Sequence, residues 1–256
     1  MSQMSTDLNI LGVIPARYTS TRFPGKPLKE ILGKPIIQYV WEGAKQSKLI
    51  TRVVVATDDE RIKVAVESFG GEAMMTSPDH KTGTDRVAEV ARKIEADLVV
   101  NIQGDEPLIR GDIIDQAVWP LVEDSSIPMG TICAKIKDDE ELNSRNIVKV
   151  IVDKKGFAIY FSRLPIPFLR DGAGVSDITS IYRKHIGLYV YRADFLPVFN
   201  SLQESVLEQA EKLEQLRAIE NGYRIRVVFT DYEGVGIDTP EDLETAEKIL
   251  RGKIFN

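Results

Sequence analysis

The sequence predicts an α/β protein with a doubly wound, mostly parallel sheet and a smaller antiparallel lobe in its second half. The first observation is a set of three short, nearly all-apolar runs, at residues 8–16, 52–59 and 97–107, each ending in polar residues. Such runs are typical of strands buried on both faces of a parallel sheet. The second observation is that helical patterns separate the runs, which implies right-handed crossovers. Ligands of such sheets bind beyond the carboxyl ends of the strands.

The helices of the first half follow from apolar residues at helical spacing. Pro35 suits a first helical turn, and the apolar residues that follow it up to Ala44 recur on one face. A second helix is predicted over residues 59–69. A third covers TDRVAEVARKIEA, with Thr84 as its N-cap.

After about residue 127 the segments become shorter and richer in β-branched residues, which predicts antiparallel strands. The run Asp153-Lys154-Lys155-Gly156 is a turn signal between two of them and indicates a hairpin. Residues 164–181 contain prolines and glycines and are predicted to form a long mobile loop. Two helices, at roughly 204–221 and 240–251, are expected on either side of a last strand, RIRVVFT.

The start of the last helix shows a capping pattern. Thr239 is predicted as the N-cap, Pro240 as the first helical residue and Asp242 as the third-position partner of an imperfect capping box. Asp238 lies one place ahead of the cap, and the pattern gives it no structural role. It is therefore a candidate metal ligand.

Composition excludes several classes of protein. The chain has 256 residues, a net charge of −6, and no apolar run near the roughly 20 residues of a membrane helix. This charge disfavours broad binding to nucleic acid or to anionic membranes. The single cysteine, Cys133, lies in an apolar run and is expected to be a buried, inert thiol. The N-terminus lacks the pattern of a secretory signal, so we expect a cytoplasmic protein. We predict one domain over 1–256, divided into a first half, 1–126, and a second half, 127–256.

The segment IPARYTSTRFPGKPL, residues 14–28, places Arg17, Arg22 and Lys26 directly after the first predicted strand. One interpretation is a solvated surface loop, and the other is a loop that binds a strongly anionic ligand. The loop lacks both the GxGxxG and the Walker fingerprints. Its cations can nevertheless face a triphosphate, and small residues such as Ala16 let backbone N–H groups approach.

Two carboxylates are candidates for a magnesium site. Asp105 follows the third apolar run, where a carboxylate either forms a turn or binds Mg²⁺. Asp238 is the second candidate. A further motif, HKTGTDR at residues 80–86, is either an ordinary helix start or a base or ribose contact.

Several motifs, in this order along the chain, resemble the 3-deoxy-manno-octulosonate (Kdo) cytidylyltransferase family, the CMP-Kdo synthetases of Gram-negative bacteria. They are IPARYTSTRFPGKPL, HKTGTDR, NIQGDEP, YFSR with RKHIGLYVYR, LEQLRAIENG and GVGIDTPEDLE. Together they cover nearly the whole chain. The resemblance implies a fold of the nucleotide-diphospho-sugar transferase type, a homodimer, and Mg²⁺-dependent transfer of CMP from CTP to Kdo for lipopolysaccharide synthesis. It makes residues 1–126 the nucleotide-binding half and residues 127–256 the sugar-acid-binding and dimerisation half. The net charge and the apolar runs of the chain predict neither nucleic acid binding nor membrane insertion.

The resemblance also assigns roles to residues. The implied triphosphate cations are Arg17 and Lys26, assisted by Arg22. The implied magnesium ligands are Asp105 and Asp238, which with Arg17 and Lys26 form the implied catalytic set. The implied nucleotide contacts are Pro15, Ala16, Thr82, Gly83, Thr84, Arg86 and Gln103. The implied sugar-acid site consists of Gln103, Arg163, His185, Glu214 and Gln215. Without the resemblance, solvent-exposed polar residues would be the simpler interpretation of Glu214, Gln215 and His185.

The mechanism expected from these roles is in-line attack by a sugar hydroxyl on the α-phosphorus of CTP, without a covalent intermediate. We expect no histidine near the strand ends, so a second Mg²⁺ is considered in place of a side-chain base. The loop 164–181 departs most from the family pattern. It leaves open another acidic sugar, such as 8-amino-Kdo or a sialic acid. A non-catalytic nucleotide-sensing module and a structural partner protein are the alternatives from other classes.

Overall fold

The computed structural model describes residues 7–19, 23–170 and 180–254. Contacts within the chain define two compact units, the first made of residues 1–115 and 233–256 and the second of residues 116–232. The single domain over 1–256, and its division after residue 126, remain predictions. Within the described residues, no helix has both the length and the apolar character needed to cross a membrane.

The first unit is built on parallel strands whose neighbours lie in the order β6-β1-β4-β5. The strands are β1 (Ile10–Ala16), β4 (Arg52–Thr57), β5 (Glu72–Met75) and β6 (Leu98–Asn101). β1 is central, with Val13 opposite Val54 on one side and Asn101 on the other. Nearly all of β1, β4 and β6 is buried. The three predicted strands are confirmed, and their carboxyl ends meet at one edge.

Helices connect and flank these strands. They are α1 (Ile36–Lys45), α2 (Glu60–Ser68) and α3 (Gly83–Ala91). Before α1, a 3₁₀ turn (Lys26–Leu28) ends residues 14–28, called the basic segment below. A short hairpin of β2 (Glu30–Ile31) with β3 (Lys34–Pro35) follows it. The apolar face of α1 is buried, as its spacing predicted.

The predicted N-cap of α3 is wrong. Thr82, two residues before Thr84, caps the helix, because its hydroxyl accepts from the Asp85 amide at 3.1 Å while the Asp85 carboxylate accepts from the Thr82 amide at 3.0 Å. These bonds form a complete capping box. Thr84 is buried inside the first turn and accepts from Asn101 Nδ2 at 3.4 Å.

The second unit contains the antiparallel part of the fold. Its strands are β7 (Met129–Lys135), β8 (Lys149–Val152), β9 (Ala158–Ser162), β10 (Arg183–Arg192) and β11 (Ile225–Phe229). β11 pairs with β7 in parallel, whereas β10 pairs with β7 and β8, and β9 with β8, in antiparallel. The predicted hairpin is confirmed, with Gly156 at φ 80° in its turn. The predicted fold class is therefore confirmed.

The helices of the second unit are short. They are α5 (Asp139–Asn143), α6 (Phe195–Ser201), α7 (Val206–Glu211) and α8 (Leu216–Glu220), while α4 (Gly111–Glu123) begins in the first unit and ends in the second. The predicted single helix over 204–221 is wrong, because Lys212 adopts φ 53° and ends α7. Of the predicted loop 164–181, residues 171–179 lie outside the described residues.

The predicted cap of the last helix, α9 (Pro240–Ile254), is confirmed. The Asp242 amide donates to the Thr239 hydroxyl at 3.3 Å, and the Asp242 carboxylate accepts from the Thr239 amide at 2.9 Å. The same carboxylate also accepts from the Asp238 amide at 2.9 Å. This last bond holds the backbone amide of Asp238 just ahead of the cap.

Candidate functional site

The first unit has an open cavity of about 440 Å³ at the carboxyl ends of its strands, of a size typical of small-ligand sites. Its wall combines the ends of β1 and β6, the basic segment, the start of α3 and Asp238, which precedes the N-cap of α9. Ten of the predicted site residues line it: Pro15, Ala16, Arg17, Lys26, Thr82, Gly83, Arg86, Gln103, Asp105 and Asp238. Thr84 is not among the lining residues, and Arg22 lies outside the described residues.

Lys26 is the most highly connected cation of the cavity. Its ammonium donates to Asp105 Oδ2 at 2.7 Å, to the Ile237 carbonyl at 2.6 Å and to Asp238 Oδ1 at 3.1 Å. Three oxygens thus surround one positive charge, and two of them are carboxylate oxygens. Asp238, which the sequence left without a structural role, forms an ion pair with Lys26 here.

The backbone around these groups brings them together. Gly25 adopts φ 70°, a left-handed conformation that favours glycine, and its amide donates to the Tyr18 carbonyl at 2.9 Å. This turn starts the 3₁₀ segment and aims Lys26 inward. At the end of β6, an added Cβ on Gly104 would lie 2.7 Å from the Pro15 carbonyl. Only glycine lets the two strand ends approach this closely, which holds Asp105 beside the basic segment.

Arg86 is a buried cation in the cavity wall. Its guanidinium lies 3.1 Å from the Asp58 carboxylate, which follows β4, and it donates to the Thr76 hydroxyl. Arg86 is only 3% exposed, so this ion pair is largely removed from water. A buried charge needs such a partner, and Asp58 therefore fixes the arginine in place.

His80 was not predicted as a site residue, because no histidine was expected near the strand ends. It lines the cavity together with Thr82 and Gly83. Its Nε2 lies 2.6 Å from Glu89 Oε2. Partial burial opposes ionisation of Glu89, but hydrogen bonds from Lys93, the Ser77 amide and His80 outweigh it and lower its pKa to about 2. The motif HKTGTDR contains His80, but no sequence pattern indicates that Glu89, nine residues later, is its partner.

The predicted sugar-acid residues apart from Gln103 lie in the second unit. Arg163 is already hydrogen-bonded there, because its guanidinium donates to the carbonyls of Glu211 at 2.7 Å, Arg145 at 2.9 Å and Lys212 at 3.3 Å. A guanidinium has five N–H donors, so these contacts use three of them. Lys149 is fully buried nearby, and its ammonium donates to three carbonyls, including that of Arg163 at 2.7 Å.

His185 is packed among aromatic rings, contrary to the simpler interpretation of a surface residue. Its ring contacts Phe161 edge-on at 5.0 Å between centroids and Tyr189 at 5.3 Å. Its Nε2 lies 2.9 Å from the Thr131 hydroxyl, whose own hydrogen is directed at the Leu188 carbonyl, 2.8 Å away. Nε2 therefore carries the proton of the neutral ring. Burial lowers the pKa of His185 to about 3.

Glu214 and Gln215 precede α8 in the second unit. Burial, with a smaller contribution from the charge of Glu214, raises the pKa of Tyr189, whose ring also contacts that of His185. Gln215 is buried, and its Nε2 has no hydrogen-bond partner among the described residues. A buried amide of this kind is a donor available to a ligand.

Comparison with known proteins places the chain in a family. A family model described as cytidylyltransferase matches residues 11–225. A 3-deoxy-manno-octulosonate cytidylyltransferase of Syntrophotalea carbinolica is 57% identical over 96% of this chain and 100% of its own length. The chain belongs to the 3-deoxy-manno-octulosonate cytidylyltransferase family. The resemblance drawn from the sequence motifs is thereby confirmed.

Solved structures agree with this assignment. The structure of a CMP:2-keto-3-deoxy-manno-octonic acid synthetase complexed with CTP superposes with a TM-score of 0.89 at 44% identity, covering 96% of this chain and 99% of that one. A 4-diphosphocytidyl-2C-methyl-D-erythritol synthase from Anaerococcus prevotii gives a TM-score of 0.62 at 15% identity, with 95% and 99% coverage. The second likeness shows a common fold alone.

The oxygens around Lys26 are of the type that hard metal ions bind. Within the described ranges, no group of three or more histidine, cysteine or acidic side chains is arranged to hold a metal. Asp105, Asp238 and the Ile237 carbonyl nevertheless already surround a cation, the Lys26 ammonium. Mg²⁺ commonly uses one or two carboxylates and takes its other ligands from phosphates and water. The donor set therefore suits Mg²⁺ bound together with a nucleotide.

Proposed function

We propose that this chain is an enzyme that transfers CMP from CTP to Kdo, giving CMP-Kdo and diphosphate and activating the sugar acid for lipopolysaccharide synthesis. The observation that carries the proposal is the meeting of Lys26 with Asp105 and Asp238 in the first-unit cavity of a member of this family. A cation and two carboxylates at the carboxyl ends of parallel strands suit a metal-bound polyphosphate.

The charged and the uncharged parts of the nucleotide are proposed to bind at different parts of the cavity. Arg17 and Lys26 are proposed to bind the triphosphate, with Arg22 as a third cation. The start of α3 is proposed to bind cytidine, because Gly83 leaves room beside Pro15, an added Cβ lying 3.3 Å from the proline ring. Arg86 in the wall is held by Asp58 and offers a fixed, planar donor set.

Asp105 and Asp238 are proposed to hold Mg²⁺, which when bound neutralises charge on the phosphates. Lys26 lies between the two carboxylates, at 2.7 and 3.1 Å. The triphosphate offers its ammonium a stronger set of anions. We therefore propose that Lys26 moves to the phosphates and leaves the carboxylates to the metal.

The reaction is proposed to proceed by in-line displacement. A hydroxyl oxygen of Kdo forms a bond to the α-phosphorus, the bond from that phosphorus to the bridging oxygen breaks, and diphosphate leaves with the electron pair. The hydroxyl proton passes to water. Arg17 and Lys26 hold the diphosphate in line, so catalysis comes from positioning and charge stabilisation.

We propose that the sugar acid contacts Arg163, His185, Glu214 and Gln215 of the second unit. A contact of Gln103 with the sugar remains a prediction. Among the described residues, Arg163 keeps two N–H donors beyond its carbonyl contacts, which suits a carboxylate. The unpartnered Nε2 of Gln215 suits a hydroxyl oxygen of the sugar.

A homodimer is also proposed. Large apolar side chains of the second unit are exposed, led by Phe168 at 87% and Val206 at 77%. Exposed apolar side chains of this size favour an interface with a second copy of the chain. Light scattering should give the mass of two chains, and a monomer at micromolar concentration would refute this part.

The function is tested by measuring diphosphate release from CTP with Kdo and Mg²⁺. ATP, GTP and UTP serve as nucleotide controls, and 8-amino-Kdo and a sialic acid as sugar controls. We expect turnover with CTP and Kdo at least tenfold above every other pair. Higher turnover with another acidic sugar would reassign the substrate. CTP binding without any turnover would instead support a nucleotide-sensing module.

A further inference from the structure

The segment between β5 and α3, residues 76–82, forms one wall of the first-unit cavity and contains His80. Both of its ends are fixed independently. The Thr76 amide donates to the Thr57 carbonyl at 2.8 Å, and Thr82 takes part in the capping box of α3. The middle of the segment depends on a different residue.

Glu89, on α3, holds that middle part. Its Oε2 accepts from the Ser77 amide at 2.9 Å and contacts His80 Nε2 at 2.6 Å, while its Oε1 accepts from Lys93 at 2.6 Å. With a pKa of about 2, the carboxylate is ionised at every working pH and can only accept hydrogen bonds. His80 therefore carries a proton on Nε2 and directs the opposite edge of its ring, with Nδ1, away from Glu89.

We propose that His80 binds the nucleoside part of the nucleotide through Nδ1, and that Glu89 is the positioning residue that orients its ring. This inference rests on the proposed function, since it assumes that the cavity takes CTP. Glu89 itself does not line the cavity, whereas His80 does, beside Thr82 and Gly83. The neighbours of His80 are those proposed for cytidine, whereas Arg17 and Lys26 are those proposed for the phosphates.

The experiment measures the Kd of CTP by calorimetry for the wild type, Glu89→Gln, His80→Ala and the double variant. We expect each single variant to bind CTP about tenfold more weakly, as for loss of one hydrogen bond to the nucleotide. The double variant should be no weaker than His80→Ala, because Glu89 acts through His80. In turnover, the KM for CTP should rise about tenfold while kcat and the KM for Kdo change less than threefold.

Lys93→Met is the matched control, because it removes the partner of the other Glu89 oxygen and leaves the contacts to Ser77 and His80 in place. It should bind CTP as the wild type does. Glu89→Gln with unchanged CTP affinity, additive losses in the double variant, or an equal loss in Lys93→Met would each overturn the inference. If Glu89→Gln does not fold, unchanged affinity in His80→Ala overturns it alone. Wild-type protein that binds no CTP would refute the proposed function as well. A loss of CTP affinity confined to the variants tests the inference about His80 and Glu89 separately from the proposed function.

Discussion

Charged side chains are neutralised differently in the two units of the molecule. In the first-unit cavity, the Lys26 ammonium is paired with the side chains of Asp105 and Asp238, at 2.7 and 3.1 Å. In the second unit, the Lys149 ammonium is held by the backbone carbonyls of Ser144, Ile147 and Arg163, at 2.7–2.8 Å. A side-chain partner can turn toward another cation, but a backbone carbonyl is fixed by the fold.

Exposure follows the same division. The Asp238 side chain is 49% exposed and that of Asp105 31%, whereas Lys149 is 0% exposed. Water and ligands can therefore reach the cavity ion pairs and replace their partners. Lys149 is closed off from water and ligands, so it keeps its carbonyl partners and links the chain segments that provide them. From this difference we expect substitutions at the cavity charges to change activity and substitutions at Lys149 to change stability.

The largest effect is expected for Lys26→Met. We expect kcat/KM for CTP to fall about 10³-fold, because a cation that stabilises the leaving diphosphate contributes on that order. Diphosphate release measures it. In the ligand-free protein, the same substitution should tighten binding of Mn²⁺, used as a spectroscopic probe for Mg²⁺, because the carboxylates lose their internal cation.

Lys29→Met is the matched control for Lys26→Met. Lys29 is exposed, ends the same 3₁₀ turn, and does not line the cavity. It should leave both turnover and Mn²⁺ binding near the wild-type values. If Lys29→Met tightened Mn²⁺ binding as much as Lys26→Met, net charge alone would explain the effect and the exchange of Lys26 would be refuted.

The next effect is expected for Asp105→Asn and Asp238→Asn. Each should lower turnover about 10²-fold at limiting Mg²⁺, because an amide is a weaker ligand for a hard cation than a carboxylate. Part of the loss should be recovered at high Mg²⁺, which a magnesium titration of the rate measures. Asp112→Asn, at an exposed ion pair with Arg110, serves as the control. Full turnover of both variants at limiting Mg²⁺ would remove the metal assignment.

Lys149→Met should mainly affect stability. The substitution leaves carbonyls that faced the ammonium without a donor, so we expect the free energy of unfolding to fall by about 3 kcal/mol. Urea denaturation measures this loss. Lys154→Met, in the exposed hairpin turn, should change it by less than about 0.5 kcal/mol. If Lys149→Met were as stable as the wild type, the contrast between the two units would not hold.

The parallel strands were predictable because their sequence pattern is local. The runs that became β1, β4 and β6 are apolar throughout, and their carboxyl ends must meet at one edge, which placed Asp105 beside the basic segment. The prediction of a single helix over 204–221 was wrong because the sequence pattern around Lys212 is that of a polar helix. Nothing in the sequence indicates that Lys212 has a left-handed backbone. The cap of α3 was misplaced although the rule that found Thr239 and Asp242 also fits Thr82 and Asp85.

Side-chain pairing was the least predictable feature of the site. The contacts of Lys26 to Asp238 and of Arg86 to Asp58 join residues far apart in sequence, and no periodicity relates them. His80 and Glu89 are nine residues apart, which is not a helical spacing, and His80 precedes the helix. Residue types and strand ends therefore predicted which groups meet, while the tertiary packing decided which of them are paired.

The smallest expected effect is a difference between the two units in how stability depends on pH. His185 in the second unit has a pKa lowered to about 3 by burial, against about 6.5 in the unfolded chain. Its contribution is fully present above pH 6.5 and is lost as the pH falls toward 3, because the unfolded state binds the proton first. Between pH 7.5 and 5 we expect a loss of about 1–2 kcal/mol, measured by urea denaturation.

His185→Gln keeps a donor for Thr131 and cannot titrate, so its stability should change less between pH 7.5 and 5 than that of the wild type.

Glu89→Gln is the matched test in the first unit. The pKa of Glu89 is lowered to about 2 from 4.5, so its stabilisation is present above pH 4.5 and is lost only below it. Glu89→Gln should therefore leave the difference between pH 7.5 and 5 unchanged. If both variants lost the same part of the dependence of stability on pH, the two residues would titrate in the same pH range. The predicted separation between His185 and Glu89 would then be refuted.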